Sequence, residues 1–131
     1  MASFRFLIHP ERLAIARLEP RSALPEWARG AFVSSTRTPG ELSIVCAQRN
    51  VPSQVVQERE KLGLFIEGTV SMTAVGIIAA LSRALADEKV PIFVIATYDT
   101  DWILVDAQRF EATRAALESL GHTVSGEPPA L

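Results

Sequence analysis

The amino-acid sequence predicts an α+β fold in which an antiparallel sheet carries two helices on one face. Three observations support this prediction. The hydrophobic pattern of residues 61–125 follows the order strand, helix, strand, strand, helix, strand. The apolar fraction is 48% and the charged fraction is 21%, which are ordinary values for a globular protein. The length of 131 residues fits one domain, or two very small ones.

The first strand of this pattern, at residues 61–68, is apolar and ends at a glycine. The first helix is predicted at residues 73–89, with Thr73 as a candidate N-cap. Its apolar side chains recur three and four residues apart and form one stripe, made of Ala74, Ile77, Ile78, Leu81, Ala84 and Leu85. We therefore expect this helix to pack one face against the sheet.

A hairpin is predicted next, with strands at residues 90–97 and 101–105 and a turn between them. The first of these strands is almost continuously apolar, which is typical of a strand covered on both faces or central in its sheet. Pro91 fits the first residues of this strand, where no backbone donor is needed.

The second helix is predicted at residues 107–120, followed by Gly121 as its stop. Residues 122–125 form a short last strand, and the remaining residues a frayed tail. The resulting order, β-α-β-β-α-β, is that of the ferredoxin-like fold.

The N-terminal half is predicted to consist mostly of strands, at residues 4–8, 13–19, 31–36 and 41–47. Residues 37–40 carry a hairpin turn signal, and residues 25–29 fit one helical turn that starts at a proline. Residues 51–60 are short and compatible with a helix.

The two halves of the chain resemble each other. Residues 41–49 align with residues 101–109, and Phe32-Val33 aligns with Phe93-Val94. This similarity predicts a tandem repeat in which the first copy has lost its helices. The sequence thus predicts a degenerate unit at residues 1–60 and an intact unit at residues 61–131.

Charge and composition exclude several classes of partner. The net charge is −2, so the surface has no general attraction for nucleic acid. Cys46 is the single cysteine, which excludes an intrachain disulfide and a four-cysteine zinc site. The apolar runs are shorter than the roughly 20 residues that span a bilayer. We expect a cytoplasmic protein that binds neither a membrane nor nucleic acid.

The sequence offers little for catalysis. His9, His122 and Cys46 have no partner at a spacing that would activate a nucleophile, and Cys46 lies in an apolar strand. We therefore predict no catalytic residue, no metal site and no cofactor. An enzyme would have to use Asp99 and Asp101 as its acid–base pair.

The turn at residues 97–101 is the first candidate binding feature, because it places two carboxylates and two hydroxyls between apolar strands. Asp99 is equally explained as an ordinary turn former. Asp101 directly precedes the apolar residues 102–105, where a carboxylate is costly unless it meets a cation or several donors.

The start of the first helix, at residues 71–77, is the second candidate. Helix N-termini present free N–H groups and partial positive charge, which suit a carboxylate. Gly76 within the helical pattern indicates a close approach to the backbone, either by a ligand or by the sheet. Together the two features can hold the ammonium and carboxylate groups of a free α-amino acid.

Two segments carry a family resemblance. Residues 68–79, which end in GIIA, and residues 92–105 (IFVIATYDTDWILV) resemble the small ACT-domain proteins related to the CASTOR arginine sensors. The resemblance covers about 60 residues well, and it implies the β-α-β-β-α-β fold already read from the pattern. It also implies a regulatory module that binds an amino acid at an interface between paired ACT units.

The family's ligand-binding positions correspond here to nine residues: Ser71, Met72, Val75, Gly76, Ile77, Thr97, Tyr98, Thr100 and Asp101. By this resemblance, Asp101 holds the ligand ammonium, and the backbone at Gly76 and Ile77 holds the carboxylate. The arginine sensors carry acidic residues at the helix start, where this chain has Thr73 and Ala74. This departure favours a ligand smaller or less charged than arginine, or none.

The sequence therefore predicts a sensor that binds a free amino acid between two ACT-like units and has no catalytic activity. Its expected protein partners are a second copy of the chain, in a homodimer, or an effector protein. The first alternative is a ligand-free module for protein–protein interaction or oligomerisation. The second is a small enzyme of unrecognised type.

Overall fold

The computed structural model describes residues 3–71 and 75–130. Its strands are β1 (Arg5–Ile8), β2 (Leu13–Leu18), β3 (Ser34–Thr38), β4 (Glu41–Ala47), β5 (Val56–Ile66), β6 (Phe93–Ala96), β7 (Asp101–Asp106) and β8 (Thr123–Ser125). Its helices are α1 (Ile77–Asp87) and α2 (Phe110–Ser119), with short 3-10 helices at Gln48–Asn50 and Ala107–Arg109. This is the predicted α+β, ferredoxin-like type of fold.

The chain forms two compact units. Residues 3–10, 62–71 and 75–130 form the helical unit, and Glu11–Lys61 forms the sheet unit. β5 begins in the sheet unit and ends in the helical unit. The sequence predicted a boundary between residues 60 and 61, which places β1 in the first unit. In the structure β1 belongs to the helical unit, where it pairs with β5 and β8.

The helical unit has the strand order β8-β1-β5-β7-β6. β1 runs antiparallel to β5, with Phe6 opposite Ile66, and parallel to β8, with Phe6 opposite Val124. One hydrophobic core joins the sheet to both helices through Phe6, Leu62, Leu64, Ile66, Leu81, Leu85, Ile103, Val105, Phe110 and Leu117. The predicted apolar stripe of the first helix therefore packs as expected through Leu81 and Leu85.

The sheet unit has the antiparallel order β3-β4-β2-β5. Its core is small and consists of Ala14, Ala16, Leu42, Ile44, Cys46 and Val51. Residues 11–61 are all described and contain no α-helix. None of the helices in the described part of the chain is long and apolar enough to cross a membrane.

The interpretation of residues 51–60 as a helix is wrong, because β5 starts at Val56. β5 carries an extra residue opposite β2, between the pairs Leu13–Lys61 and Ile15–Glu58. Glu60 takes a positive φ of 62° at this bulge. The backbone N–H of Glu60 donates to Gln48 Oε1 at 2.8 Å, and Gln48 Nε2 donates back to the Glu60 carboxylate at 3.0 Å.

Arg12 completes the support of this bulge, because its Nη1 lies 2.6 Å from Glu60 Oε2. Burial alone would raise the pKa of Glu60, but the hydrogen bonds from Arg12 and Gln48 outweigh it, and the net pKa is lowered. A side-chain network thus holds a backbone conformation that residues other than glycine rarely adopt.

β6 is also different from the prediction of a covered or central strand. Among the described residues it pairs with β7 alone, so it lies at an edge of the sheet. Phe93 is 37% exposed and Val94 is 38% exposed. An apolar run of this kind does not distinguish a covered strand from an exposed edge.

His122 is a buried titratable side chain in the core of the helical unit. Its side chain is buried, Nδ1 accepts a 3.0 Å hydrogen bond from the Phe4 backbone N–H, and the ring packs against Phe4 and Phe6. Burial lowers the pKa of His122. Protonation would also place a hydrogen on the nitrogen that now accepts.

We expect the free energy of unfolding to fall as the pH drops below about 6.5, the ordinary pKa of histidine in the unfolded chain. A histidine whose pKa is lower in the folded than in the unfolded state contributes its full stabilisation at pH values above the unfolded-state pKa. This contribution is lost as the pH falls towards the folded-state pKa. Urea unfolding of wild type and His122→Asn at pH 7.5 and 5.0 measures this pH dependence of the free energy of unfolding. A pH dependence equally large in both proteins would contradict the assignment to His122.

Candidate functional site

The turn between β6 and β7 is fixed by its own threonines. The Thr97 hydroxyl donates to the Thr100 carbonyl at 2.9 Å and accepts from the Thr100 N–H at 3.2 Å. The Thr97 backbone N–H donates to the same carbonyl at 2.8 Å. Because its hydroxyl proton is already donated to the Thr100 carbonyl, Thr97 shapes the turn and has no hydroxyl proton to donate to a ligand.

Two further hydrogen bonds tie this turn to the end of β5 and to the segment that follows it. The Thr100 hydroxyl donates to the Ile66 carbonyl at 2.8 Å. The Val70 backbone N–H donates to the Asp99 carbonyl at 2.6 Å. Since the Thr100 proton points to Ile66, the hydroxyl oxygen faces any ligand as an acceptor only.

Asp101 is the first residue of β7 and lies opposite Ala96 of β6. Its side chain is half-buried, and its carboxylate makes no hydrogen bond or ion pair with the other described residues. A half-buried carboxylate without a partner is costly, and a bound cation would offset that cost.

The sequence predicted Gly76 within the first helix, but in the structure Gly76 lies just before α1. The helix begins at Ile77 rather than at residue 73, and Gly76 is its N-cap with a φ of 82°. The glycine is therefore needed for a left-handed backbone just outside the helix, not for close packing within it. Thr73 and Ala74, the predicted N-cap and its neighbour, lie outside the described residues.

No described side chain caps α1. The first intrahelical hydrogen bond runs from the Ala80 N–H to the Gly76 carbonyl at 3.0 Å. The N–H groups of Ile77, Ile78 and Ala79 thus have no acceptor within the helix, and they carry its partial positive charge.

We expect Gly76→Ala to destabilise the protein by about 1–2 kcal/mol, the cost of a left-handed residue with a Cβ. An added Cβ would meet nothing within 4 Å, so the effect comes from the backbone alone. Gly40→Ala is the matched control, since that turn glycine has no positive φ and its added Cβ meets an ordinary contact at 3.8 Å. Chemical denaturation of both variants measures the difference, and equal costs would refute the backbone explanation.

One cavity of about 350 Å³ brings the turn and the helix start together. Seven of the nine predicted ligand-binding residues line it: Ser71, Gly76, Ile77, Thr97, Tyr98, Thr100 and Asp101. Val75 is not in the lining and is 90% exposed. Met72 lies outside the described residues. The described lining residues all belong to the helical unit.

Four lining residues were not among those predicted: Val70, Ile78, Ala79 and Ala96. Ile78 and Ala79 belong to the first turn of α1, so the rule that early helical N–H groups are free could have identified them. Ala96 is the last residue of β6, beside the predicted turn. No pattern in the sequence indicates Val70 as a lining residue, because its position depends on the hydrogen bond from its backbone N–H to the Asp99 carbonyl.

The chemistry of the lining suits a small zwitterion. Asp101 is the one charged group among the described lining residues, and Thr100 adds a neutral acceptor beside it. The N–H groups at the start of α1 supply donors for an anion. Val70, Ile77, Ile78, Ala79 and Ala96 supply apolar surface.

The other titratable candidates lie apart from this cavity. His9, Cys46 and His122 are buried, and burial raises the pKa of the Cys46 thiol. Residues 3–71 and 75–130 contain no group of three or more histidine, cysteine, aspartate and glutamate side chains able to hold a metal ion. Asp99 is exposed, and its carbonyl supports the turn.

Similar proteins are known for the whole chain. The sequence model of the ACT domain matches residues 62–119, and a model of an N-terminal domain matches residues 11–54. No curated protein matches the chain. Protein Atu0741 from Agobacterium tumefaciens, known from its crystal structure, is 33% identical with a TM-score of 0.90, and the match covers 97% of this chain and 96% of that one.

Two more distant structures share the fold. A protein of unknown function from Vibrio cholerae, VC0802, described as a possible transport protein, is 21% identical with a TM-score of 0.74, over 89% of each chain. The regulatory subunit of aspartate kinase from Thermus flavus is 11% identical with a TM-score of 0.66, over 91% of this chain and 98% of that one. The chain therefore belongs to the same family as Atu0741, and its residues 62–119 are an ACT domain.

Proposed function

We propose that the ACT domain binds a free amino acid in the cavity between the β6–β7 turn and the start of α1. The observation that carries this proposal is the half-buried Asp101 carboxylate, which has no partner among the described residues and faces the cavity. A ligand ammonium would neutralise it, and the Thr100 oxygen would accept a second ammonium proton.

The ligand carboxylate is assigned to the start of α1. Ile77, Ile78 and Ala79 line the same cavity, and their backbone N–H groups lack intrahelical acceptors. These donors and the helix dipole attract an anion without any basic side chain. The two ends of the site thus match the two charges that every free amino acid carries.

The ligand side chain is proposed to be small and uncharged. The described lining contains no basic residue that would pair with an acidic side chain. Once Asp101 is used by the ammonium, no second carboxylate in the described lining is left for a basic side chain. The apolar lining residues favour an aliphatic or hydroxylated side chain, with the Tyr98 phenol at the exposed rim.

In this proposal the protein is a regulatory module without catalytic activity, related in function to the CASTOR-type amino-acid sensors, and it acts in the cytoplasm. A sensor must pass its ligand state to another protein, so an effector protein is part of the proposal. The shared fold of an aspartate kinase regulatory subunit supports a regulatory role.

A thermal-shift screen of the common amino acids, each at about 10 mM, tests the proposal. Binding stabilises the folded state by about 2.7 kcal/mol when the ligand exceeds its Kd 100-fold. We expect one or a few small uncharged amino acids to raise the melting temperature, and isothermal titration calorimetry to confirm one site per chain. If no amino acid shifted the melting temperature, the proposal would fail.

A further inference from the structure

We propose that Ala96 determines specificity at the ammonium end of the site, and that the site accepts a secondary ammonium group, such as that of proline or an N-methylated amino acid. This inference rests on the proposed function, because it concerns the ligand nitrogen beside Asp101. The observation behind it is the pairing of β6 with β7, which places Ala96 directly opposite Asp101. Both residues line the cavity.

Ala96 and Asp101 form the type of cross-strand pair in which facing side chains lie closest. In the neighbouring pair, the Thr97 N–H donates a hydrogen bond to the Thr100 carbonyl. Hydrogen-bonded and non-hydrogen-bonded pairs alternate along antiparallel strands, so Ala96 and Asp101 form a non-hydrogen-bonded pair. The Cα atoms of such a pair are about 4.5 Å apart, and both side chains project from the same face. Position 96 therefore borders the space in which a cation meets the Asp101 carboxylate.

Ala96 leaves this space open. Its side chain is a single methyl group, and the residue is exposed. Strands favour β-branched residues over alanine, and β6 has such residues at Val94 and Ile95. A β-branched side chain at position 96 would fill the space beside the carboxylate. The strand thus carries its smallest residue at the position that faces Asp101.

The acceptors beside Ala96 match the donors of a secondary ammonium group. The Asp101 carboxylate has no partner among the described residues, and the Thr100 hydroxyl oxygen is an acceptor because its proton goes to the Ile66 carbonyl. A secondary ammonium group has two N–H donors, one for each acceptor, and its N-alkyl substituent lies against the Ala96 methyl group. A primary ammonium group uses the same two acceptors and directs its third N–H to the second carboxylate oxygen or to water.

Isothermal titration calorimetry tests this proposal with glycine, L-alanine, L-serine and L-valine, with the N-methyl derivative of each, and with L-proline. We expect wild type to bind the N-methyl form of its ligand with a Kd within about tenfold of the parent form. In Ala96→Val this ratio should rise by about tenfold or more, because the added side chain excludes the N-methyl group. Val94→Ile is the matched control and should leave the ratio unchanged, since Val94 lies on the same face of β6 but outside the cavity lining.

Three results distinguish the two proposals. If wild type bound a parent amino acid but none of the N-methyl forms or proline, the specificity proposal would fail and the proposed function would not. Equal weakening of parent and N-methyl forms in Ala96→Val would have the same meaning, with circular dichroism checking that the variant is folded. If wild type bound none of these compounds, both proposals would fail.

A measurement without ligand tests the geometry by itself. Ala96→Lys places an ammonium group of the chain beside Asp101. It should raise the melting temperature by about 1–4 °C more in the wild-type background than in the Asp101→Asn background, because opposite charges on facing strands stabilise a sheet. Equal changes in both backgrounds would show that position 96 does not border the carboxylate, and this result would overturn the specificity proposal whichever amino acid binds.

Discussion

Replacing Asp101 by asparagine is expected to weaken amino-acid binding by roughly 100-fold or more. The substitution keeps the size of the side chain and removes the charge that would pair with the ligand ammonium. Removing one partner of a desolvated charge pair costs about 2–5 kcal/mol, because the remaining charge is left without compensation. The fold should be preserved, since no described residue forms a hydrogen bond or ion pair with this carboxylate.

Asp99→Asn is the matched control for this experiment. It removes the same charge two residues away, in the same turn, but Asp99 is not in the cavity lining. Its structural contribution is the backbone carbonyl that accepts from Val70, which the substitution leaves intact. We expect calorimetry to give Asp99→Asn a Kd within about twofold of wild type, since an exposed charge contributes little.

Comparable losses of affinity in Asp101→Asn and Asp99→Asn would show that long-range charge, rather than direct contact at Asp101, governs binding. Unchanged affinity in Asp101→Asn would remove this carboxylate from the ligand site. Chemical denaturation of both variants without ligand separates a binding effect from a loss of folded protein.

The sequence predicted the helical unit well because its signals are local. The stripe of α1 and the turn that ends β6 are set by residue types three or four positions apart. β4 was predicted with its observed bounds, Glu41–Ala47, because a turn signal precedes it. The first part of β5 was missed because it is polar and largely exposed, and its pairing with β2 depends on residues distant in sequence.

The candidate site was found from residue types but not from backbone geometry. Asp101 and Thr100 could be recognised because a carboxylate and a hydroxyl interrupt an apolar pattern. Gly76 was recognised as unusual, but its role as a left-handed N-cap follows from a dihedral angle that spacing does not reveal. The place of β1 within the helical unit is a long-range pairing, to which no local pattern points.

Leu64→Ala is expected to destabilise the helical unit by about 2–5 kcal/mol. Leu64 lies in the second half of β5, is fully buried and belongs to the core beneath α1 and α2. Truncation removes apolar contacts and leaves a cavity that a packed core closes only in part. Val56→Ala, on the exposed first part of the same strand, should change stability by no more than about 0.5 kcal/mol.

The two tryptophans allow this comparison to be made for the helical unit by itself. Trp102 lies in β7 and stacks on Phe65 with a centroid distance of 4.3 Å, whereas Trp27 packs in the core of the sheet unit. In a Trp27→Phe background, fluorescence during urea unfolding reports Trp102 alone, since the chain has 2 tryptophans. A midpoint shift no larger for Leu64→Ala than for Val56→Ala would mean that the second half of β5 does not anchor this core.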